Sequence, residues 1–182
     1  MECLVTQKLR AGNRFPELHV ADPSGATRDL SKPSGDHDWM MVVVYRGRHC
    51  PMCTRYLNQL APLIGQLSDI GVDVAAVSAD SAEQLAQHRE KLDEMTFPLF
   101  HSLSVGQMKE LGLYISDPRS PKETDHPFAE PGLFVINEHG TLQVVDLSNN
   151  PFVRPDLETL VRGLRWIRDP DNDYPIRGTH PY

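Results

Sequence analysis

The sequence predicts an α/β domain with a central mixed β-sheet flanked by helices. Three observations carry this. Trp39 to Tyr45 (WMMVVVY) is an unbroken apolar run rich in valine, the pattern of a strand buried on both faces in a parallel sheet. A helical stretch then leads to a second such run, Val72 to Ser78 (VDVAAVS), and another helical stretch follows. That strand–helix–strand–helix order sets up parallel pairing through crossovers. Further on, Leu133 to Asn137 and Leu142 to Leu147 flank Glu138-His139-Gly140, a hairpin that adds antiparallel strands.

The remaining elements follow in order. Residues 1 to 38 are loop-rich, punctuated by Gly12, Pro16, Pro23, Gly25, Pro33 and Gly35. Within them, Glu17 to Ala21 and Thr27 to Leu30 read as short strands around a Pro23-Ser24-Gly25 turn. After the first long strand, Tyr56, Leu57, Leu60, Leu63, Ile64 and Leu67 recur at helical spacing. Pro51 suits the first turn of that helix, where a missing N–H costs nothing. Pro62 falls inside the pattern and predicts a kink or a turn. Ser81 to Leu92 is the next helix, and Ser81 with Gln84 has the spacing of a capping box. Phe97 to Phe100 is a short strand, and Val105 to Leu111 a short helix closed by Gly112 or by the sequence after it. Ser116 to Glu130, polar and proline-rich, reads as an exposed loop. Pro155 to Arg168 is a final amphipathic helix, with Leu157, Leu160, Val161, Leu164 and Ile167 on one side.

The 182 residues suit one domain, with its core at about 9–168 and an irregular tail at 169–182. The net charge of −7 argues against nucleic-acid binding, which needs a basic face to neutralise phosphates, and equally against anionic membranes. A local basic patch stands at Arg46 and Arg48. No run approaches the roughly 20 apolar residues of a membrane span. The start, MECLVTQKLRAG, lacks the apolar core of a secretory peptide, so a cytoplasmic protein is expected. Three cysteines are too few, and odd in number, for a secreted disulfide framework.

Two of them form the motif Cys50-Pro51-Met52-Cys53, directly after the buried strand and at the start of a helix. The thiolate is the nucleophile, yet a free cysteine has a pKa of about 8.5 and is mostly protonated near neutrality. Unpaired N–H groups and the positive end of a helix dipole stabilise the anion. Arg46, Arg48 and His49 stand nearby in sequence to add positive charge. Spacing of three puts both sulfurs within one turn, where one cysteine attacks and the other resolves the mixed disulfide. Zinc binding would need two further ligands; Cys3 is remote, and His88, His101, His126, His139 and His180 show no ligand spacing. Two buried structural cysteines are the other alternative. Cys3 reads as a bystander, with a resolving role or an intermolecular disulfide as the minor reading. His101 and His126 read as surface or satisfied histidines, and Trp39 and Trp166 as core or flanking residues. Tyr174 and Tyr182 in the tail read by default as part of a loose terminus, with a homodimer contact as the alternative.

In order along the chain, LRAGNRFPELHVADPSGATRDLS, VVVYRGRHCPMCTRYLNQL, VDVAAVSADSAEQLAQHREKL, FPLFHSLSVGQMKELGLY and PGLFVINEHGTLQVVD resemble the peroxiredoxin-like branch of the thioredoxin superfamily. This is the alkyl hydroperoxide reductase / thiol-specific antioxidant (AhpC/TSA) group. The likeness runs from Leu9 to Trp166. It implies a thioredoxin-like fold with an N-terminal peroxiredoxin-type extension and a thiol that reduces peroxides or disulfides.

Two details bear on the substrate. Peroxiredoxins carry Thr or Ser three residues before the peroxide-attacking cysteine. Aligned without a gap on the bacterioferritin-comigratory type, Cys53-Thr54-Arg55 falls on that cysteine's position and Cys50 on the Thr. Aligned with a gap, Cys50-Pro51 matches the Cys-Pro pair of the typical two-cysteine enzymes. In thioredoxin-like reductases the first cysteine, here Cys50, attacks. Peroxiredoxins also often place an Arg before the strand that reads here as LFVIN. This chain has Glu130-Pro131-Gly132 instead, so Arg46 or Arg48 is a candidate substitute. Thioredoxins have a cis-proline there, packed on the CxxC, and Pro131 is read in that role; an ordinary trans proline opening a strand is the alternative. The resemblance implies no metal, nucleotide or flavin, and a thioredoxin- or glutathione-type electron donor. A disulfide reductase without peroxidase activity, a non-enzymatic redox sensor, and a purely structural domain are the alternative readings.

Overall fold

The structure, a computed structural model, describes residues 8–181. Cys3 and Tyr182, and the roles considered for them, lie outside the described residues.

β1 (His19–Ala21) and β2 (Thr27–Asp29) form a small antiparallel ribbon. β3 (Trp39–Val44) leads through the cysteine motif into α1 (Pro51–Leu60). A 3-10 turn at Ala61–Leu63 separates α1 from α2 (Ile64–Ser68). The break falls at Pro62, whose ring and missing N–H cannot continue the helix. Then come β4 (Val72–Val77), α3 (Ala82–Arg89), β5 (Leu99–Phe100) and α4 (Val105–Glu110). β6 (Ile115–Ser116) pairs with β7 (Phe128–Ala129), and β8 (Gly132–Ile136), β9 (Leu142–Leu147) and α5 (Leu157–Arg168) complete the order.

The main sheet has the order β5-β4-β3-β8-β9. β3 pairs parallel with β4 and antiparallel with β8, so the sheet is mixed and β3 is its centre. The unbroken apolar run has a direct cause: both faces of β3 are covered. Trp39, Met41 and Val43 pack with Leu57, Leu60, Val161 and Leu164 of α1 and α5. Met40, Val42 and Val44 pack with Phe15, Leu18, Phe100, Met108 and Phe134 on the other face. Side chains alternate across a strand, so only a continuous run can fill two cores.

Ser81 caps α3 as predicted, accepting from the Gln84 N–H while the Gln84 side chain accepts from the Ser81 N–H. Ser104 and Gln107 repeat the same box on α4. The hairpin forms with the Asn137 N–H donating to the Thr141 carbonyl and the Asn137 side-chain oxygen accepting the Thr141 N–H. Trp39 is buried and donates its indole N–H to Glu138 at 2.6 Å, while Trp166 is partly exposed on the flank of α5.

Three expectations change. The helix read to Leu92 ends at Arg89, and the strand read from Phe97 begins at Leu99. The segment Ser116 to Glu130 is not wholly an exposed loop: Phe128 and Ala129 are buried in β7, and Thr124 and Glu130 are buried beside them. Its polar and proline content hid one anchoring aromatic. The tail is irregular but folded back, with Tyr174 stacked on Trp166 at 5.8 Å between ring centroids. Tyr174 is thus engaged within its own chain.

A candidate redox site at the head of helix α1

The chain leaves β3 through Tyr45, whose N–H still bonds Val77 on β4 at 3.1 Å. Gly47 then turns it with φ +127°, a region L side chains rarely adopt. Asp80, fully buried in the loop after β4, accepts the Arg48 N–H at 2.7 Å. The carboxylate packs against Gly47 so closely that an added Cβ would lie 2.5 Å from its Oδ1. Burial raises the Asp80 pKa. One buried acid therefore fixes the turn that delivers Cys50.

Cys50 is the N-cap of α1. Its backbone is extended (φ −106°, ψ 98°), and its Sγ accepts the Cys53 N–H at 3.1 Å. A sulfur thus fills the position that Ser, Thr, Asp or Asn oxygens usually hold. Cys50 and Cys53 are joined as a disulfide, with Cα atoms 5.2 Å apart. Cys50 is 2% exposed and Cys53 0%, whereas Met52 between them is 40% exposed. Among the described residues no third His, Cys, Asp or Glu joins them in a metal-binding cluster.

Arg46 lies 3.3 Å from Glu130 and 3.6 Å from Glu123, with its guanidinium 4.7 Å from the Phe128 ring. Two carboxylates thus answer its charge. Arg48 differs in having no ion-pair partner for its side chain among the described residues, although the buried Asp80 feels its charge; its Nε, like that of Arg46, is buried without a hydrogen bond. His49 does not add the expected positive charge. Burial, then the Arg46 charge, hold its pKa at about 4, and its ring packs edge-on against Phe128 at 4.6 Å. Pro131 is not cis: every peptide bond among the described residues is trans. Its carbonyl accepts the Ser148 N–H at 2.9 Å, as strand pairing requires where β8 begins.

The structure brings three further residues to the cysteine turn. The Thr54 hydroxyl sits between the Cys50 carbonyl, at 3.4 Å, and His88 Nε2, at 2.9 Å. His88 follows Leu85 at helical spacing on the buried face of α3, the one sequence signal that marks it. Arg154 donates to the Met52 carbonyl at 3.0 Å and the Pro151 carbonyl at 2.9 Å, and lies 4.2 Å over the Tyr56 ring. It clamps the loop before α5 onto the cysteine turn. Of the histidines read as bland, His101 is buried and satisfied by the Asp22 carbonyl and the Ser102 hydroxyl. His126 lies 2.7 Å from its sequence neighbour Asp125 and 3.8 Å from Asp80, a partner no local pattern reveals.

His88 gives the site a pH dependence. It is fully buried, and burial, then the Lys91 charge, hold its pKa at about 4. Unfolded histidine titrates near about 6.5. Between those values the unfolded chain binds more protons, so stability is full above the unfolded pKa and lost as pH falls toward the folded one. His49 acts in the same direction. Urea unfolding of the wild type and His88→Asn at about pH 7 and 4.5 isolates the His88 share, expected on the order of 2 kcal/mol. The variant should lose that much less stability on acidification; an equal loss contradicts the account.

A redox-spaced cysteine pair at the head of a helix, delivered by the central strand of a mixed sheet, defines a thioredoxin-like thiol domain. Residues 11–145 match the model of the AhpC/TSA family, and the chain belongs to that family. A Mycobacterium tuberculosis protein named as a peroxiredoxin is 24% identical over 139 residues, 76% of this chain and 85% of the relative. The thiol-disulfide oxidoreductase ResA of Halalkalibacterium halodurans is 23% identical over 133 residues, 73% of this chain and 66% of ResA. Among solved structures, peroxiredoxin 6 of Arenicola marina superposes with a TM-score of 0.73 at 17% identity, covering 88% of this chain and 74% of that one. Peroxidoxin BcpB of Mycobacterium tuberculosis gives 0.71 at 17%, covering 88% and 99%. These structures share the thioredoxin-like fold. No helix among the described residues is long and apolar enough to cross a membrane.

Proposed function

We propose that this chain is a cytoplasmic thiol-dependent oxidoreductase whose Cys50–Cys53 pair reduces protein disulfides or peroxides and is itself recycled by a thiol donor. The observation that carries the reading is the Cys50 sulfur at the N-cap of α1, receiving the Cys53 N–H. In the reduced protein that N–H and the helix dipole stabilise a thiolate on Cys50. On a disulfide substrate, this thiolate attacks one sulfur and the other leaves as thiolate. Cys53, deprotonated, then attacks the Cys50 sulfur and expels the second substrate thiolate. Two electrons pass to the substrate and the Cys50–Cys53 bond forms. Arg46, Arg48 and Pro131 shape the surroundings: Arg48 supplies charge that no ion pair holds, while Arg46 is spent on Glu123 and Glu130.

Peroxide is the second reading, supported by the family and by the place of Cys53-Thr54-Arg55 in it. There Cys53 attacks a peroxide oxygen, the O–O bond breaks, and the alcohol or water leaves with a proton. Cys50 then condenses on the sulfenic acid, releasing water. Cys53 is fully buried, so this route suits small peroxides. Stopped-flow oxidation of the reduced protein by hydrogen peroxide, beside reduction of an insulin disulfide, separates the two. Oxidation by peroxide far faster than a free thiol supports peroxidase chemistry; insulin turnover with slow peroxide oxidation supports the reductase. Neither activity overturns both and leaves a redox sensor or a structural domain.

A further inference from the structure

On the His49 side of the cysteine pair, an open cleft is lined by Arg48, His49, Lys91, Arg119, Lys122 and Glu123. Its charge balance runs against that of the chain. Four cations face one carboxylate, in a protein of net charge −7. Glu123 is already committed, lying 3.2 Å from Arg119 and 3.6 Å from Arg46. His49 is neutral near pH 7, since burial holds its pKa at about 4. Arg48, Lys91 and Lys122 therefore have no ion-pair partner among the described residues, and the Arg48 Nε is buried with no acceptor. A concave wall of uncompensated cations focuses potential and raises the local concentration of anions. Arg48 and His49 connect that wall directly to Cys50 along the chain.

We propose that this cleft receives a small carboxylate-bearing thiol, which acts as the electron donor that reopens the Cys50–Cys53 disulfide. The proposal rests on the redox pair described above. The donor's thiolate attacks one sulfur of the pair, forming a mixed disulfide and freeing the other cysteine as thiolate. A second donor thiolate attacks the mixed disulfide and leaves as the donor disulfide. Two donor thiols lose two electrons, and two protons end on Cys50 and Cys53. The carboxylate sits against Lys91, Lys122 and the Arg48 guanidinium, which pairs with carboxylates in a fixed fork.

The test is the rate at which mercaptopropionate, mercaptoethanol and cysteamine reduce the oxidised protein, each expressed per thiolate to remove differences in thiol acidity. At low ionic strength mercaptopropionate is expected to exceed cysteamine roughly tenfold, within the range of charge-lined clefts. The ratio should collapse near about 1 M salt, where the Debye length is about 3 Å. Lys91→Glu with Lys122→Glu should bring it to about one or below. Lys109→Glu with Arg162→Glu, neither of which lines the cleft, should retain it and so excludes a net-charge effect. Equal rates for all three thiols, or a ratio that survives reversal of Lys91 and Lys122, would overturn the cleft assignment alone. A disulfide that none of the three opens removes the redox pair, and the cleft with it.

Discussion

Replacing Cys50 with Ser should lower turnover by roughly a thousandfold or more, the scale on which loss of a nucleophile is felt. The fold should persist, because a serine hydroxyl at the N-cap accepts the same Cys53 N–H that the sulfur accepts. Cys53→Ser should be as inactive in the cycle but different in kind. Its Cys50 can still attack a disulfide, so the reaction stops at a mixed disulfide that mass spectrometry reads as one added substrate thiol. If peroxide is the substrate and Cys53 attacks, the trapped species instead sits in Cys50→Ser, as a sulfenic acid on Cys53. The pair of variants thus names the attacking cysteine. Full turnover in either variant would contradict a two-cysteine cycle.

Gly47→Ala should cost stability on the order of 3 kcal/mol and depress activity with it. Two separate costs add. An L side chain at φ +127° carries strain of about 1–3 kcal/mol. The new Cβ also meets the buried Asp80 carboxylate, at 2.5 Å from Oδ1 and 2.9 Å from Cγ. If Asp80 moves, the Arg48 N–H loses its acceptor, worth roughly 1–3 kcal/mol when buried. The loop that carries Cys50 to the helix head moves as well. Gly65→Ala is the internal contrast: that glycine is helical with nothing near its Cβ position, so alanine should stabilise by about 0.5–1 kcal/mol. Urea unfolding of both variants checks the pair. Equal midpoints for Gly47→Ala and the wild type would show that the turn does not depend on glycine.

The elements most legible in the sequence were those whose cause is local. The run Trp39 to Tyr45 has the pattern of a strand covered on both faces, and Trp39–Val44 forms one. Ser81 with Gln84, Pro51 at the helix start and Pro62 at its break each rest on backbone chemistry within a few residues. The cysteine pair was legible for the same reason, since its spacing and the helix behind it adjoin in sequence. What escaped is held by tertiary contact. Asp80, His88 and Arg154 reach the cysteine turn from separate elements. His49 sits in a basic stretch that reads as charged, yet burial and Arg46 keep it neutral. Pro131 stands where a cis bond was expected, yet its carbonyl serves the β8–β9 ladder and its peptide bond is trans. Neither outcome has a local signature.

The central claim is that Cys50 and Cys53 are one reversible two-electron couple. The direct measurement equilibrates the protein in glutathione buffers of graded redox ratio and counts alkylated cysteines by peptide mass spectrometry. The account predicts that Cys50 and Cys53 lose reactivity together along a two-electron curve, with a midpoint between about −120 and −270 mV, the span of catalytic dithiols. Independent curves for the two cysteines, or thiols that stay reduced at the most oxidising ratio, would contradict it.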